Sequence, residues 1–289
     1  MTVRYVEHSA RAQRPVGDPA FHEWSSPDGA VWTRFYRQEK AYVLRFPEFV
    51  DFEVSSDGYD VQAWPTPSVS PGTVQHLFLN QVLPLAMSRQ GRLVLHGSAV
   101  DVNGRGVAFV GASGQGKSTL AACFATGGGR FLTDDGLHLE WVDGTCTVIP
   151  SHPSIRLWED SQEALIAEAV LVAPPLEFTS KARLLAGADV AFCAQPLPLG
   201  CVYFLGGTEV SSVVITRMPP AAAMIELVKN AFLLDVEDRN LLALHFDELS
   251  QLANLPIYYH LDYPRRYEYL PQVRASITSH CIEQVSHLL

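Results

Sequence analysis

The residues with the plainest chemistry are Gly111-Ala112-Ser113-Gly114-Gln115-Gly116-Lys117-Ser118, which fill every fixed position of a G-x-x-x-x-G-K-[ST] loop. Glycines let backbone N–H groups turn inward around phosphate oxygens, Lys117 adds a positive charge, and the Ser118 hydroxyl can ligand Mg²⁺. Thr119 follows directly. The loop therefore reads as a nucleoside triphosphate site, for ATP or GTP, with Mg²⁺ as its expected metal; the bland alternative is a glycine-rich turn. Downstream, Asp134-Asp135 sets two carboxylates side by side, candidates for metal ligation and for a general base in phosphoryl transfer, or else a solvated turn. Upstream, His96 sits in an apolar run and reads equally as a packed core histidine and as a catalytic group. Arg156 and Lys181 are candidate cations for a transferring phosphate, although each alone reads more simply as a surface charge. His138, His152 and Trp158 read as packing or surface residues.

These groups need a scaffold that brings them together. Val107-Ala108-Phe109-Val110 before the loop and Thr119 to Ala125 after it give the strand–loop–helix setting that phosphate binding demands. Leu93 to Val102 is joined to the loop strand by Asn103-Gly104, a strong hairpin signal, so His96 lies on a strand antiparallel to the one that delivers the loop. Gly127-Gly128-Gly129 stops the helix, and Arg130 to Thr133 is a short strand ending in the two aspartates. Leu137–Val142 and Thr147–Ile149 form a further hairpin through Asp143-Gly144. Ile155–Trp158 leads to a helix over roughly Ser161 to Val170, closed by Pro174-Pro175. Strands follow at Val202–Leu205 and Val213–Thr216, helices at Ala221–Leu234 and Leu241–Leu252, a last strand at Ile257–Leu261 and a closing helix from Leu270 to about Val285. Strands, hairpins and helices are mixed instead of strictly alternating, which gives an α/β class with a mixed sheet.

Ahead of this core, residues up to about Pro19 read as a loosely held lead-in. Val31–Tyr36, Ala41–Phe46, Val50–Val54 and Tyr59–Trp64 form a small antiparallel meander, separated by turn chemistry. Pro65 to Gly72 is a linker, and Thr73 to Met87 a helix bent at Pro84. The expected organisation is a β unit over residues 1–70 and a loop-bearing domain over 71–289.

The 289 residues are 47% hydrophobic, ample for a real core, and carry a net charge of −10. No basic run could line a groove for a polyanion, so nucleic acid is an unexpected partner. Five scattered cysteines without a C-x-x-C pair fit a reducing cytosol better than a disulfide framework or a zinc site. The opening residues lack the pattern of a signal peptide, and no apolar run reaches membrane-spanning length, so a cytoplasmic protein without membrane contact is expected.

The segments LVLHGSAVDVNGRGVAFVGASGQGKSTL and RFLTDDGLHL together resemble the catalytic core of the HPr kinase/phosphorylase family, whose fold is related to that of phosphoenolpyruvate carboxykinase. The match runs over about Leu93 to Glu140. Weaker echoes at Arg156-Leu157-Trp158, Lys181-Ala182-Arg183 and Tyr259 to Arg265 look like the shorter HPr-kinase-like proteins, including kinases of lasso-peptide precursors. The resemblance implies a mixed-sheet P-loop kinase core, Asp135 as base to an acceptor hydroxyl, Asp134 mainly on Mg²⁺, and His96 close to the aspartates. It also implies a serine kinase acting on a protein or peptide, and it leaves a homo-oligomer open. Thr119 stands where HPr kinases usually carry Glu, and the glycine- and arginine-containing loop associated with phosphorolysis has no counterpart. Kinase activity is thus implied more strongly than the reverse reaction. A nucleotide-dependent binding module and a small-molecule kinase are the alternatives.

Overall fold

A computed structural model describes residues 3–25, 29–166, 172–174, 176–179, 181–187 and 189–286. By internal contacts the chain forms two units, the first made of residues 1–92 with returns at 176–178 and 233–241 and the second of the remainder.

In the first unit, β1 (Arg4–Glu7), β2 (His22–Ser25), β3 (Val31–Arg37), β4 (Ala41–Phe46), β5 (Val50–Ser55) and β6 (Asp60–Pro65) make one sheet in the order β1-β6-β5-β4-β3-β2. The expected four-strand meander is β3 to β6, with antiparallel registers such as Leu44 opposite Phe52. Two edge strands were not foreseen. The lead-in is not loose: β1 runs parallel to β6, and beyond β1 the Arg11 N–H bonds the carbonyl of Pro65, the last residue of β6. Short edge strands owe their pairing to a neighbour's free backbone groups, which local patterning does not reveal. Phe35, Leu44, Phe46, Phe52, Val54 and Val61 are fully buried.

Helices α1 (Pro71–Leu77) and α2 (Leu83–Arg89) belong to this unit, so the boundary expected at residue 70 falls inside it. Tyr5 and Phe52 both meet Phe78 in ring contacts, and Trp32 Nε1 donates to Gln81 at 2.9 Å. A π turn over Phe78–Val82 joins the two helices, with the Leu83 N–H reaching back to the Phe78 carbonyl. That wider turn accommodates Pro84, which lacks the N–H a regular helix would use.

The second unit is built on an eight-stranded mixed sheet. Its strands are β7 (Leu93–Val102), β8 (Arg105–Val110), β9 (Arg130–Thr133), β10 (Gly136–Val142), β11 (Thr145–Ile149), β14 (Leu197–Leu205), β15 (Val214–Arg217) and β16 (Tyr258–Asp262). Two more strands, β12 (Ser154–Leu157) and β13 (Ala182–Leu185), pair with each other outside it. Along the main sheet the order is β11-β10-β7-β8-β14-β16-β15; β8, β14 and β16 are mutually parallel and the rest antiparallel. The α/β class with a mixed sheet is therefore what forms. Helices α3 (Lys117–Thr126) and α7 (Leu270–Ser286) contribute Leu120, Phe124, Val273 and Ile277 to the core on one face. Helices α5 (Pro220–Asn230) and α6 (Arg239–Ala253) bury Leu227, Leu249 and Leu252 in a second core. Helix α4 (Glu159–Leu165) begins two residues earlier than expected; its anticipated end at Val170, and Pro175 beyond it, lie outside the described residues. Among the described residues no helix is long and apolar enough to cross a membrane.

Candidate active site

Three local devices bring the predicted residues to one place. The Asn103-Gly104 turn, with both residues at positive φ (52° and 77°), pairs β7 with β8 so that Gly97 faces Val110, the last residue before the loop. On its other edge β7 is shared: His96 faces Gly136 on β10 and Ala99 faces Thr133 on β9. Asp134 and Asp135 fall in the gap between those strands, beside Gly97 and Ser98. Asp135 takes φ 65°, a left-handed conformation that Asp tolerates better than most residues but that still costs about 1 kcal/mol. The third device is the loop, where Gly111, Gly114 and Gly116 all have positive φ and Gly116 hands the chain to α3.

Asp134 is buried and fully engaged. Its Oδ1 accepts from Ser98 Oγ at 2.7 Å and from Ser118 Oγ at 2.8 Å, and its Oδ2 accepts from the Arg156 N–H at 2.9 Å. Asp135 is buried as well and forms an ion pair with the Arg156 guanidinium. Lys117 Nζ donates to the carbonyls of Gly111 and Ala112 at 2.7 and 2.9 Å. A cleft of about 430 Å³ opens over these groups, and His96, the segment Ser113–Thr119, Asp135, Arg156 and Lys181 all line it. Of the predicted site residues, Gly111, Ala112 and Asp134 are not on its wall: Asp134 lies beneath, bonded to Ser118, and the Gly111 and Ala112 carbonyls hold the lysine.

Electrostatics divide the two aspartates. Burial raises the Asp134 carboxyl above the usual range, reinforced by the negative charge of Asp135. Burial would raise Asp135 too, but the charges of Arg156, His96 and Lys181 outweigh it and hold this carboxyl well below the usual range. His96 itself is pushed down to about 4, first by burial and then by Lys117, so it is a neutral imidazole at pH 7. Arg156 and Lys181 then carry the stabilisation of the Asp135 carboxylate. Burial lowers Lys117 to about 8, partly offset by Asp135 and Asp134.

Several residues in the cleft were not expected there. Arg156 and Lys181 line the cleft instead of lying on the open surface, and Trp158, 48% exposed, has the Lys181 ammonium 4.8 Å from its ring. The cause is β13, which pairs antiparallel with β12 so that Leu157 faces Ala182 and Lys181 arrives opposite Trp158. Arg265 donates to the Gln115 carbonyl at 2.6 Å and to the Gly206 carbonyl, and stacks on Tyr263 at 4.0 Å. A Cβ on Gly116 would come within 2.7 Å of the Tyr263 hydroxyl, so the loop glycine is needed for space as well as for φ. Thr119, in the position of the missing carboxylate, meets Ser161 Oγ at 3.3 Å. The Tyr259–Arg265 echo was the available signal for Arg265.

No protein-family model matches the chain. Two curated relatives, the HPr kinase/phosphorylases of Clostridium botulinum strains Eklund 17B and Alaska E43, are each 43% identical to it over 63 residues, 22% of this chain. The match spans 20% of those relatives, so the chain corresponds to about a fifth of their length. Among solved structures, the HPr(Ser) kinase/phosphatase from Coxiella burnetii aligns at 10% identity and a TM-score of 0.36, over 66% of this chain and 97% of that one. Over those 63 residues the chain is similar to the HPr kinase/phosphorylases.

Proposed function

We propose that this protein is an ATP-dependent kinase that transfers the γ-phosphate to a hydroxyl, a Ser of a protein or peptide. The observation that carries this reading is a cation-paired carboxylate, Asp135, in the same cleft as Ser113 to Ser118 of the loop. The curated relatives are named as kinases over a matching segment, which supports the same reaction class.

Phosphoryl transfer asks for positioning and for charge neutralisation more than for covalent chemistry. Backbone N–H groups of Gly114 to Ser118 and the Lys117 ammonium hold the phosphates. Asp135 is the base that takes the acceptor's proton, and Arg156 keeps it ionised and correctly aimed. Neutral His96 lines the same wall and polarises that carboxylate. Arg156 and Lys181 also face the charge that builds on the departing phosphoryl group.

The donor set fits Mg²⁺. Ser118 Oγ and Asp134 Oδ1 are hard oxygens 2.8 Å apart, and the buried Asp134 carboxyl has a raised pKa that a cation would relieve. Among the described residues no cluster of three or more His, Cys, Asp or Glu could hold a metal unaided, which suits an ion that keeps water and substrate phosphates as its other ligands. Ser118 and Asp134 would hold Mg²⁺, which neutralises phosphate charge when bound.

The test is transfer of labelled phosphate from ATP to hydroxyl-bearing peptides or to the proteins encoded beside this one. Asp135→Asn should lower turnover by about 10²–10⁴-fold, the range for loss of a general base, while nucleotide affinity changes little. An Asp135→Asn enzyme as active as wild type would remove the base assignment. ATP-dependent capture of a partner with no phosphate ever transferred would favour a binding module instead.

A further inference from the structure

Consecutive residues at the start of α3 bond to different partners around the cleft. Ser118 bonds Asp134, beside the base. Thr119 Oγ1 bonds Ser161 Oγ at 3.3 Å, and Ser161 Oγ in turn meets the Tyr267 hydroxyl at 2.9 Å. These three hydroxyls come from separate elements, α3, α4 and the short 3₁₀ turn at Tyr267–Tyr269. Asp160 stands next to them: its Oδ1 accepts the Ser161 N–H at 2.8 Å, and burial together with this carboxylate raises the Tyr267 phenol. Ser161 is 4% exposed and Tyr267 37% exposed, and both line the cleft together with Asp160. Leu270 adds an apolar wall.

A triphosphate wrapped by the loop with its terminal phosphate at Asp135 must carry its sugar away from the base. The group bonded to Thr119, apart from the Ser118–Asp134 contact, holds one carboxylate and hydroxyls that can donate and accept, the chemistry that recognises a vicinal diol. We propose that Asp160, Ser161 and Tyr267 form a ribose subsite that selects nucleotides over bare polyphosphates and over deoxynucleotides. This inference rests on the proposed role of the loop as a phosphate cradle.

The experiment is calorimetric binding of ADP, 2′-deoxy-ADP, 3′-deoxy-ADP and tripolyphosphate, with Mg²⁺, to the full chain and to its Asp160→Asn and Tyr267→Phe variants. Wild type should bind ADP about tenfold tighter than at least one deoxy analogue, the factor that a hydrogen bond to a charged or well-placed group provides. Either variant should bind ADP and that analogue equally, with tripolyphosphate affinity and melting temperature unchanged. Binding of ADP and both deoxy analogues with equal affinity to wild type overturns the ribose subsite and leaves the phosphate cradle standing. Retention of the wild-type ratio in both variants overturns the assignment to these residues. Failure of wild type to bind either ADP or tripolyphosphate overturns the cradle and the subsite together.

Discussion

Asp135 is a buried carboxylate that stays ionised because Arg156 is locked against it, and the lock is mutual, since the Arg156 side chain is only 17% exposed. Its neighbour Asp134 lies under the loop instead, tied to Ser98 and Ser118. Adjacent residues thus sit in different surroundings, Asp135 facing the cleft and Asp134 tied to the first turn of the loop helix through Ser118. Lys117 is the group expected to act on ground-state phosphates. Its replacement, Lys117→Ala, should weaken ADP binding by at least about tenfold, as expected for a lost charge-assisted hydrogen bond, and should lower turnover as well. Titration calorimetry on the variant checks this; unchanged ADP affinity would remove the lysine from the cradle. Asp134-Asp135 and the loop were legible from residue type and spacing. Arg156 and Lys181 were not, because a lone cation has the same local signature at a surface and in a site.

At the scale of elements, the site depends on β7 being shared along one edge. Had β9 run straight into β10, the two aspartates would have been ordinary ladder residues; the break opposite Gly97-Ser98 turns them out of the sheet. Gly97 allows this arrangement, because a Cβ there would lie 2.9 Å from the Phe109 carbonyl and 3.3 Å from Val110 Cγ2. Gly97→Ala should push β7 away from the loop strand and destabilise the protein by about 1–3 kcal/mol, as overpacking does. Chemical denaturation measures the cost, and nucleotide affinity should fall with it, since His96 and Ser98 move with the strand. A Gly97→Ala protein of wild-type stability and affinity would show that β7 has room that the geometry denies. The hairpin from β7 to β8 was readable from Asn103-Gly104. Strand β13 was missed because four residues, Ala182 to Leu185, carry too little pattern to register without their partner β12.

For the molecule as a whole, the chain returns twice to its first unit. Phe178 packs its ring against Trp32, Phe49 and His76, and Asp235 receives Arg37 through two bonds of 2.8 and 2.9 Å and the Tyr42 hydroxyl at 2.9 Å. Burial would raise the Asp235 carboxyl, but the Arg37 bond and the others outweigh it and lower its pKa. A carboxylate with a folded pKa below its unfolded value stabilises the protein above the unfolded value, and the contribution is lost as pH falls through the folded one. Asp235→Asn should therefore cost about 1–2 kcal/mol at pH 7, a figure kept modest because Arg37 is 40% exposed and partly screened. The difference from wild type should shrink as pH falls from about 4 downward, near the ordinary Asp value. Melting curves at several pH values test this, and a difference that grows on acidification would reverse the assigned sign. By itself the sequence determined the phosphate loop, the hairpin that feeds it, the paired aspartates and the α/β class, because each rests on local spacing, turn chemistry or hydrophobic period. Only the tertiary structure decided that β1 is a strand, that Arg156, Lys181, Arg265 and Tyr267 share the cleft, and that residues 233–241 complete the first unit. Those features depend on pairings and charges between segments far apart in the chain, whose partners exist only once the fold has formed.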